Sequence, residues 1–402
     1  MVLIAGGGIA GLEALMAIRD LAGDRARITL VAPDPEFVYK PLIVEEPFSF
    51  QPAEEHALAP VAEEFDAELV QAALAAVDPA AHSVTLGDGS TLDYDRLVVC
   101  VGARARPAFE EAVTMRVDGA PLAIESLLRD AEGSEAKRIA FVIPPGKTWP
   151  LPVYELALMG RRKARELGLT VECCVVTPEE GPLIAFGRGP SEAVRELLEA
   201  RGIVLHAAVR AKSLHEGVLT LAPGDRPLAV GRVVSLPLLE GPRIPGLPAD
   251  DEGFIPIDGH GRVREVQDVF AAGDGANFPI KHGGLGSQQA DAAAEQIAAE
   301  LGAELEPQPF VPVIRGKLLT GDESIHLQHT AAGGGGEGQV SADHLWWPPQ
   351  KISGRYLSPW LGHTALHGEL PAERSLEVEV ALPKEWHEEP MALDPYGPSE
   401  TA

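Results

Sequence analysis

Residues 2–32, VLIAGGGIAGLEALMAIRDLAGDRARITLVA, decide the fold of this chain. Residues 2–5 and 28–31 are short, continuous apolar runs, which are typical of fully buried strands. Residues 12–21 between them carry apolar side chains at helical spacing. The stretch therefore predicts a strand, a helix and a second strand, with a glycine-rich turn at the first junction.

The turn has the spacing G-x-G-x-x-G, formed by Gly6, Gly8 and Gly11. The first glycine permits a tight turn, the second lets a pyrophosphate approach the backbone, and the third lets the helix pack closely on the strand. The N–H groups at the start of the helix are then free to bind phosphate. In this strand–turn–helix context the motif predicts a dinucleotide site.

The acid that binds the ribose usually stands at the end of the second strand. Ala32 or Pro33 occupies that position here, and the first acid is Asp34. Either Asp34 reaches the ribose or it is an ordinary turn residue, and both alternatives stay open.

Two further segments have the same buried-strand pattern. Residues 269–272 predict a strand that ends at Gly273 and Asp274, and a glycine-rich turn at 281–286 leads to a helix predicted from about Ser287 to Leu301. Residues 94–107, YDRLVVCVGARARP, predict another buried strand that ends beside Cys100.

Together these three segments resemble the two-dinucleotide-binding-domain flavoproteins of the pyridine nucleotide-disulfide oxidoreductase superfamily. The resemblance implies FAD, with Asp274 on the ribityl chain and the N–H near Leu285 facing the C2 carbonyl of the flavin. A helix N-terminus there would stabilise the reduced, anionic flavin by about 0.3–1 kcal/mol. The cofactor-binding residues implied are Gly6, Gly8, Ile9, Ala10, Gly11, Asp34, Lys40, Pro41, Val77, Cys100, Val101, Gly102, Gly273, Asp274, Gly284 and Leu285.

Within that superfamily, residues 37–42 (FVYKPL) and 191–221 resemble the sulfide:quinone oxidoreductase and type II NADH dehydrogenase branch. The resemblance places Lys281 and His282 near the flavin as the candidate catalytic residues. Lys281 would stabilise the reduced flavin. His282 would either relay a proton or cap the glycine-rich turn.

A second strand–turn–helix unit begins at Arg138, but its turn is rich in proline. Only Gly146 would let a pyrophosphate approach, and the prolines at 144 and 145 have no N–H to donate. NAD(P)H binding is therefore disfavoured here. Glu179 would bind a ribose or lie in a solvated turn, and Glu155 would lie on a helix surface or face the flavin.

The chain has three cysteines, Cys100, Cys173 and Cys174, with no metal-ligand or CxxC spacing. Sulfide oxidation needs a redox-active cysteine pair beside the flavin. Cys173 and Cys174 are adjacent in an apolar strand and would point to opposite faces. We therefore expect no metal site, no sulfide oxidation and no disulfide reduction.

The formal net charge of -27 disfavours nucleic acid and anionic membrane surfaces as partners. We expect no signal peptide, no membrane-spanning helix and a cytoplasmic location. The aromatic segment at 344–362 would pack the C-terminal domain on the FAD domain or form a homodimer interface. Peripheral membrane contact is its less favoured alternative.

The fold class predicted is α/β, with two Rossmann-like three-layer dinucleotide-binding domains, the second inserted in the first, and a small C-terminal α+β domain. Residues 1–107 and 240–308 would form the FAD-binding domain, 108–239 the inserted domain and 309–385 the C-terminal domain. We expect residues 386–402 to be disordered.

Three functional hypotheses follow. The first is an FAD-dependent oxidoreductase that passes electrons from an unidentified donor to a quinone-like or other acceptor. The second is an NAD(P)H:acceptor reductase. The third is a flavin-binding interaction protein without turnover.

Overall fold

A computed structural model describes residues 1–49, 54–115, 122–330 and 338–366. The predicted tail at 386–402 lies outside the described residues.

The secondary structure combines helices with short strands. The helices are α1 (Ile9–Ala22), α2 (Glu46–Ser49), α3 (Leu58–Glu64), α4 (Ile124–Gly133), α5 (Leu151–Glu166), α6 (Arg188–Ala200), α7 (Gly283–Glu300) and α8 (Leu357–Leu366). The strands up to residue 115 are β1 (Val2–Ala5), β2 (Ile28–Ala32), β3 (Glu36–Val38), β4 (Glu55–Ala57), β5 (Ala67–Gln71), β6 (Leu74–Asp78), β7 (Ser83–Leu86), β8 (Thr91–Asp93), β9 (Arg96–Val99), β10 (Arg104–Arg106) and β11 (Val113–Thr114). Beyond residue 122 they are β12 (Arg138–Val142), β13 (Glu172–Val176), β14 (Ile203–His206), β15 (Arg210–His215), β16 (Val218–Ala222), β17 (Arg226–Ala229), β18 (Arg232–Ser235), β19 (Leu238–Glu240), β20 (Val269–Ala271), β21 (Val313–Leu318), β22 (Ile325–Thr330) and β23 (Gln339–Ser341).

The first sheet is parallel and has the order β20-β9-β1-β2-β5. Four of its strands come from the first 100 residues, and β20 joins beside β9 after a long excursion of the chain. The apolar strands are buried on both sides, with helices on one face and strands β6 and β7 on the other. This arrangement brings the predicted turns after β1 and β20 to the same edge of one sheet.

Helices α1 and α7 pack against each other on one face of this sheet. Their contact is made largely by small buried side chains, which let two helices approach closely. These side chains are Ala10, Ala14 and Ala17 on α1 and Ala290, Ala293, Ala294 and Ala298 on α7. Each of these helices begins beside one of the two glycine-containing turns, so their packing fixes the distance between the turns.

The second sheet is also parallel, with the order β11-β18-β12-β13-β14. Helices α4, α5 and α6 belong to this unit, and the apolar side of α5 lies in the same core as Phe141 of β12. Strands β10 and β19 pair antiparallel where the chain leaves and re-enters the first sheet's unit. The α/β class and the inserted second unit are confirmed, whereas the domain boundaries drawn at 107, 240 and 308 stay predictions.

The C-terminal part of the described chain forms an antiparallel sheet, β21-β22-β23, followed by α8. Glu13 of α1 is fully buried and accepts hydrogen bonds from the backbone N–H of Tyr356 (2.7 Å) and Leu357 (3.1 Å), at the start of α8. Burial, reinforced by the charge of Glu13, raises the pKa of the neighbouring Asp291 on α7. The C-terminal segment is therefore anchored on the two helices of the first unit.

Candidate functional site

A cleft of about 450 Å³ opens at the carboxyl ends of β1, β2, β9 and β20. Ligands bind at this edge in open α/β sheets. Eleven of the sequence-predicted cofactor residues line the cleft: Gly6, Gly8, Ile9, Ala10, Asp34, Lys40, Cys100, Val101, Gly102, Gly273 and Asp274. The lining does not include Gly11, Pro41, Val77, Gly284 or Leu285. The contacts of all sixteen with the cofactor remain predictions.

The three glycines of the first turn have different surroundings. A Cβ on Gly6 would lie 2.2 Å from the carbonyl oxygen of Cys100, and one on Gly11 would lie 1.8 Å from that of Gly6. A Cβ on Gly8 would meet nothing within 4 Å. Two of the glycines are thus required by the protein's own packing, and Gly8 keeps its side of the cleft open to a ligand.

Helix α1 begins directly at this turn, and Gly8 occupies its N-cap position without a side-chain cap. The first N–H groups of a helix have no partner within the helix, and they form a site for an anion such as a pyrophosphate. An open glycine turn and an uncapped helix start are what the ADP half of FAD requires, so the residues present fit that cofactor.

Asp34 and Lys40 are exposed side chains at the rim of the cleft. Both remain accessible to a ligand, and the two alternatives for Asp34 stay open.

Asp274 and Gly273 follow β20 and reach the cleft from the opposite side. Burial raises the pKa of Asp274, and the charges of Lys281 and Lys40 oppose that shift. The side-chain oxygen of Gln289 on α7 accepts a hydrogen bond from the N–H of Gly273 (2.9 Å). Gln289 therefore holds the turn that presents Asp274. Sequence reasoning assigned Gln289 no role, although the residue lies in the helix predicted after the glycine-rich turn at 281–286.

Helix α7 begins at Gly283, four residues before the predicted start at Ser287. The reason is His282, whose Nδ1 accepts a hydrogen bond from the N–H of Leu285 (3.3 Å) and so caps the helix. Gly283 and Gly286 line the cleft, while the N–H of Leu285 is already engaged. The predicted contact of that N–H with a flavin carbonyl competes with the cap.

The two candidate catalytic residues lie behind the cleft wall. His282 is buried against Trp149, with 4.5 Å between the ring centroids, and burial lowers its pKa to about 4. It is therefore neutral at neutral pH, and of its two proposed roles the capping contact is the one present. Lys281 is also buried, and burial lowers its pKa to about 7.

A small cavity lies beside the turn of the second unit. The cavity there is about 10 Å³ and is lined by Thr148, Trp149, Pro150, Glu179, Ile184, Ala185 and Ile280. Trp149 lies edge-on to Phe186, with centroids 5.6 Å apart. Bulky side chains therefore border this turn, where the first unit has an open glycine turn.

Glu179 follows β13, and the structure contradicts one of its two sequence-based roles, the solvated turn residue. Its carboxyl is buried and accepts hydrogen bonds from the hydroxyls of Tyr154 (2.6 Å) and Thr177 (3.0 Å). Burial raises its pKa to about 7 despite these donors. A carboxyl turned inward in this way is not a solvated turn residue, and its ribose role stays a prediction.

Glu155 on α5 was expected on a helix surface or facing the flavin. It is instead fully buried, with Lys351 Nζ at 2.6 Å and the N–H of Leu319 at 2.9 Å. Burial raises its pKa to about 7, opposed mainly by the charge of Lys351. Glu155 does not line the cleft; it ties the second unit to the C-terminal segment.

All three cysteines of the chain lie in the described residues and are free thiols. Cys173 and Cys174 belong to cores on opposite faces of the second sheet, and neither has any exposed surface. Burial raises the pKa of each thiol, including Cys100, to about 12. Thiols in this state are poor nucleophiles. The described residues also contain no cluster of side chains suited to a metal ion.

The aromatic segment packs mainly on the chain itself. The indole N–H of Trp346 donates to the carbonyl of Gln350 (3.0 Å), and that of Trp360 donates to Glu64 (3.1 Å). The hydroxyl of Tyr356 donates to Asp20 (2.9 Å), and Trp347 is 48% exposed. Two of these contacts reach α1 and α3 of the first unit, as the packing interpretation expected. Among the described helices none is long and apolar enough to cross a membrane.

Comparison with known proteins relates the N-terminal part of the chain to a known family. Residues 1–142 match the sequence model of the pyridine nucleotide-disulphide oxidoreductase family. The chain is 25% identical over 205 residues to the sulfide-quinone reductase of Aquifex aeolicus, covering 49% of this chain and 47% of that protein. It is 27% identical over 341 residues to the ferredoxin reductase component of chlorobenzene dioxygenase from a Cupriavidus species, covering 78% and 77%. The chain thus spans about half the length of the first relative.

Two solved structures share the fold. The sulfide:quinone oxidoreductase of Aquifex aeolicus has a TM-score of 0.76 at 19% identity, with 85% of this chain and 86% of that chain covered. The ferredoxin reductase of the CYP199A2 system from Rhodopseudomonas palustris has a TM-score of 0.62 at 20% identity, with 83% of each chain covered. The family match over residues 1–142, the glycine turn and the shared two-unit fold make this chain similar to the FAD-dependent proteins of the pyridine nucleotide-disulphide oxidoreductase family.

Proposed function

We propose that this flavoprotein passes electrons through FAD from a donor other than NAD(P)H to a quinone-like or other acceptor. FAD supplies the two-electron redox centre. The chain supplies the open glycine turn and the uncapped start of α1 for the pyrophosphate, and Asp274 for the ribityl side of the cofactor.

The observation that carries the proposal is the filled second turn. A bound nicotinamide nucleotide needs a turn that its pyrophosphate can approach and free N–H groups at the following helix. Here about 10 Å³ is left, Pro150 is the N-cap residue of α5, and a proline follows within its first turn. Glu179 is engaged by Tyr154 instead of facing a ribose.

The loop is also fastened to the first unit. Lys147 forms ion pairs with Asp250 and Glu252 and lies 4.7 Å from the centre of the Phe254 ring. These partners belong to the segment that returns to the first sheet. We therefore interpret the second unit as a fixed wall beside the FAD site and not as a second nucleotide-binding site.

Thiol chemistry is disfavoured as the source of electrons. Sulfide oxidation and disulfide reduction proceed through accessible thiolates. The three thiols are buried, and the Cys173 and Cys174 side chains point to opposite faces of the sheet. The similarity to the sulfide-quinone reductase therefore supports a quinone as the electron acceptor more than it supports sulfide as the electron donor.

A second candidate is an NAD(P)H:acceptor reductase, and the relative named as a ferredoxin reductase component favours it. A third candidate, a flavin-binding protein that does not turn over, is compatible with the buried thiols and the filled second turn. The two alternatives differ from the proposal in which compound reduces the flavin and in whether an acceptor reoxidises it.

The test is an anaerobic visible spectrum of the FAD-loaded protein, titrated with NADH, NADPH and sulfide and then with dithionite. We expect flavin absorbance that the first three reagents leave unchanged over minutes, and reoxidation of the dithionite-reduced protein by a water-soluble quinone. Stoichiometric bleaching by NADH within seconds would establish the reductase instead. A reduced flavin that neither quinone nor ferredoxin reoxidises would favour the non-enzymatic alternative.

A further inference from the structure

Lys281 lies in an unusual place for an ammonium group. Its side chain is 4% exposed, and its Nζ donates to the carbonyl of Ala276 and lies 3.7 Å from the centre of the Phe254 ring. Among the described residues no carboxylate lies within ion-pair distance of Nζ, whereas Lys147 on the same ring has two. Lys281 is thus a buried amine held by one carbonyl and one aromatic face.

The charges that act on Lys281 come from three elements. Asp274, which lines the cleft, favours its ammonium form. Asp250 and Glu252 of the return segment also favour it, and Lys147 of the second turn opposes it. Burial outweighs the favourable charges and brings the pKa to about 7, so amine and ammonium coexist at neutral pH. His282, the neighbour in sequence, stays neutral as the cap of α7.

We propose that Lys281 takes up a proton when the bound FAD is reduced and releases it when the FAD is reoxidised. The inference rests on FAD occupying the cleft lined by Asp274. Reduction of FAD by two electrons and one proton leaves a negative charge on the cofactor. A new negative charge near Asp274 and the start of α7 favours the ammonium form of Lys281 through the low-dielectric interior.

Protons and electrons balance in this step. The donor gives two electrons; FAD takes both with one proton from solvent, and the Lys281 amine takes a second proton to become an ammonium. Reoxidation by a quinone returns two electrons and two protons, which are what a quinone needs to become a quinol. With Lys281, the protein and its flavin would together take up two protons on reduction. This equals the number of protons that the proposed quinone acceptor takes up.

The test is the pH dependence of the midpoint potential of the bound flavin, measured by spectroelectrochemistry on the FAD-loaded full chain. From pH 8 to 9 we expect the wild type to take up about two protons per two electrons; near pH 7 the uptake should be smaller, because part of Lys281 is already an ammonium in the oxidised protein. Lys281→Met should take up one proton, because the buried amine is gone. Lys281→Arg should also take up one, because a guanidinium stays charged in both redox states, and its potential should exceed that of the Met variant.

Lys212→Met is the control, since it removes a lysine from a surface ion pair that does not act on Lys281; it should keep the two-proton slope. Wild-type protein with a one-proton slope, or a Lys281→Met protein that keeps two, would overturn the proposal.

The flavin-to-protein absorbance ratio is measured on each sample first. Loss of FAD from the wild type would contradict the cofactor site itself, which separates that failure from failure of the proton role. If Lys281→Met alone loses FAD, the Lys281→Arg slope decides.

Discussion

The two strand–turn–helix units of this chain share one layout and differ in what their turns can hold. At the first turn, glycines keep side chains away and leave a cleft of about 450 Å³. At the second, Trp149, Pro150 and the inward-facing Glu179 border a cavity of about 10 Å³. The comparison teaches that the same arrangement of sheet and helices can carry either an open glycine turn or a turn bordered by bulky side chains.

The largest expected effect on FAD binding and stability comes from adding a side chain to the first glycine turn. Gly11→Val would place atoms against the carbonyl oxygen of Gly6, which even a Cβ would approach to 1.8 Å. We expect the β1–α1 junction to be disrupted and the purified protein to contain no FAD. Flavin absorbance and the apo-protein melting temperature measure the two effects.

Two variants sharpen this first prediction. Gly8→Ala adds a Cβ that meets no protein atom within 4 Å, so the apo protein should melt as the wild type does and bind FAD at least tenfold more weakly, about 1.4 kcal/mol. Gly146→Ala, in the second turn, should keep full FAD occupancy despite its backbone φ of +124°. Equal flavin loss in Gly146→Ala would mean that the second turn also holds the cofactor.

The second prediction concerns the contact that fastens the filled unit to the C-terminal segment. Lys351→Met would leave Glu155 buried without its cation, and we expect a loss of about 3 kcal/mol in the free energy of unfolding at pH 8. The loss should be smaller at pH 6, because the pKa of Glu155 is already raised to about 7 and its carboxyl can then be protonated. Denaturant unfolding at both pH values measures it.

Lys212→Met is the matched control, because Lys212 pairs with Asp225 on the surface and should contribute at most about 1 kcal/mol. The double variant Glu155→Gln/Lys351→Met should recover much of the loss. Equal losses in Lys351→Met and the control would show that the buried pair contributes no more than a surface pair.

The third prediction uses Glu179, the residue that most clearly separates the two turns. Its pKa is raised to about 7 in the folded chain, against 4.5 for an ordinary glutamate. The stability that this group contributes is therefore full below about pH 4.5 and is lost as the pH rises through about 7. Between pH 5 and 8 the free energy of unfolding should fall more steeply for the wild type than for Glu179→Gln, by about 1–3 kcal/mol in all.

Glu155 titrates in the same range and contributes to the slope of both proteins, so the difference between their slopes is the quantity measured. Parallel pH profiles for wild type and Glu179→Gln would contradict the burial of this carboxyl.

The smallest effect is expected at the thiols. Cys173→Ala/Cys174→Ala should keep FAD and any quinone reductase activity, with a stability loss of about 1 kcal/mol per site. In the native wild type a thiol reagent should modify none of the three cysteines, and after unfolding all three. Rapid native labelling at Cys173 or Cys174, with loss of turnover, would reopen a thiol mechanism.

The first unit and its turn could be predicted from the sequence because their pattern is local. The turn glycines lie within six residues of one another, and the flanking strands are continuous apolar runs. The same holds for the strand before Asp274. The sequence also indicates part of the difference at the second turn, because prolines and a tryptophan stand where glycines were expected.

The buried carboxylates could not be predicted in this way. Glu155 and Lys351 are 196 residues apart, and their contact exists only after the C-terminal segment packs on α5. Glu179 lies in a polar run that reads as a turn, and only its contact with Tyr154 reveals its orientation. The start of α7 was placed too late because a histidine cap depends on its side-chain rotamer, which composition does not reveal.

The anchoring of Tyr356 and Leu357 on Glu13 makes the far C-terminal segment part of the first unit's interior. Its two N–H groups are the hydrogen-bond donors to a carboxyl that has no exposure to water. A protease cut just before residue 354 would remove those donors and leave the buried carboxyl with Asp291 as its remaining hydrogen-bond partner, in the helices whose first turns line the cleft. Limited proteolysis near that point should therefore release flavin rather than merely shorten the chain.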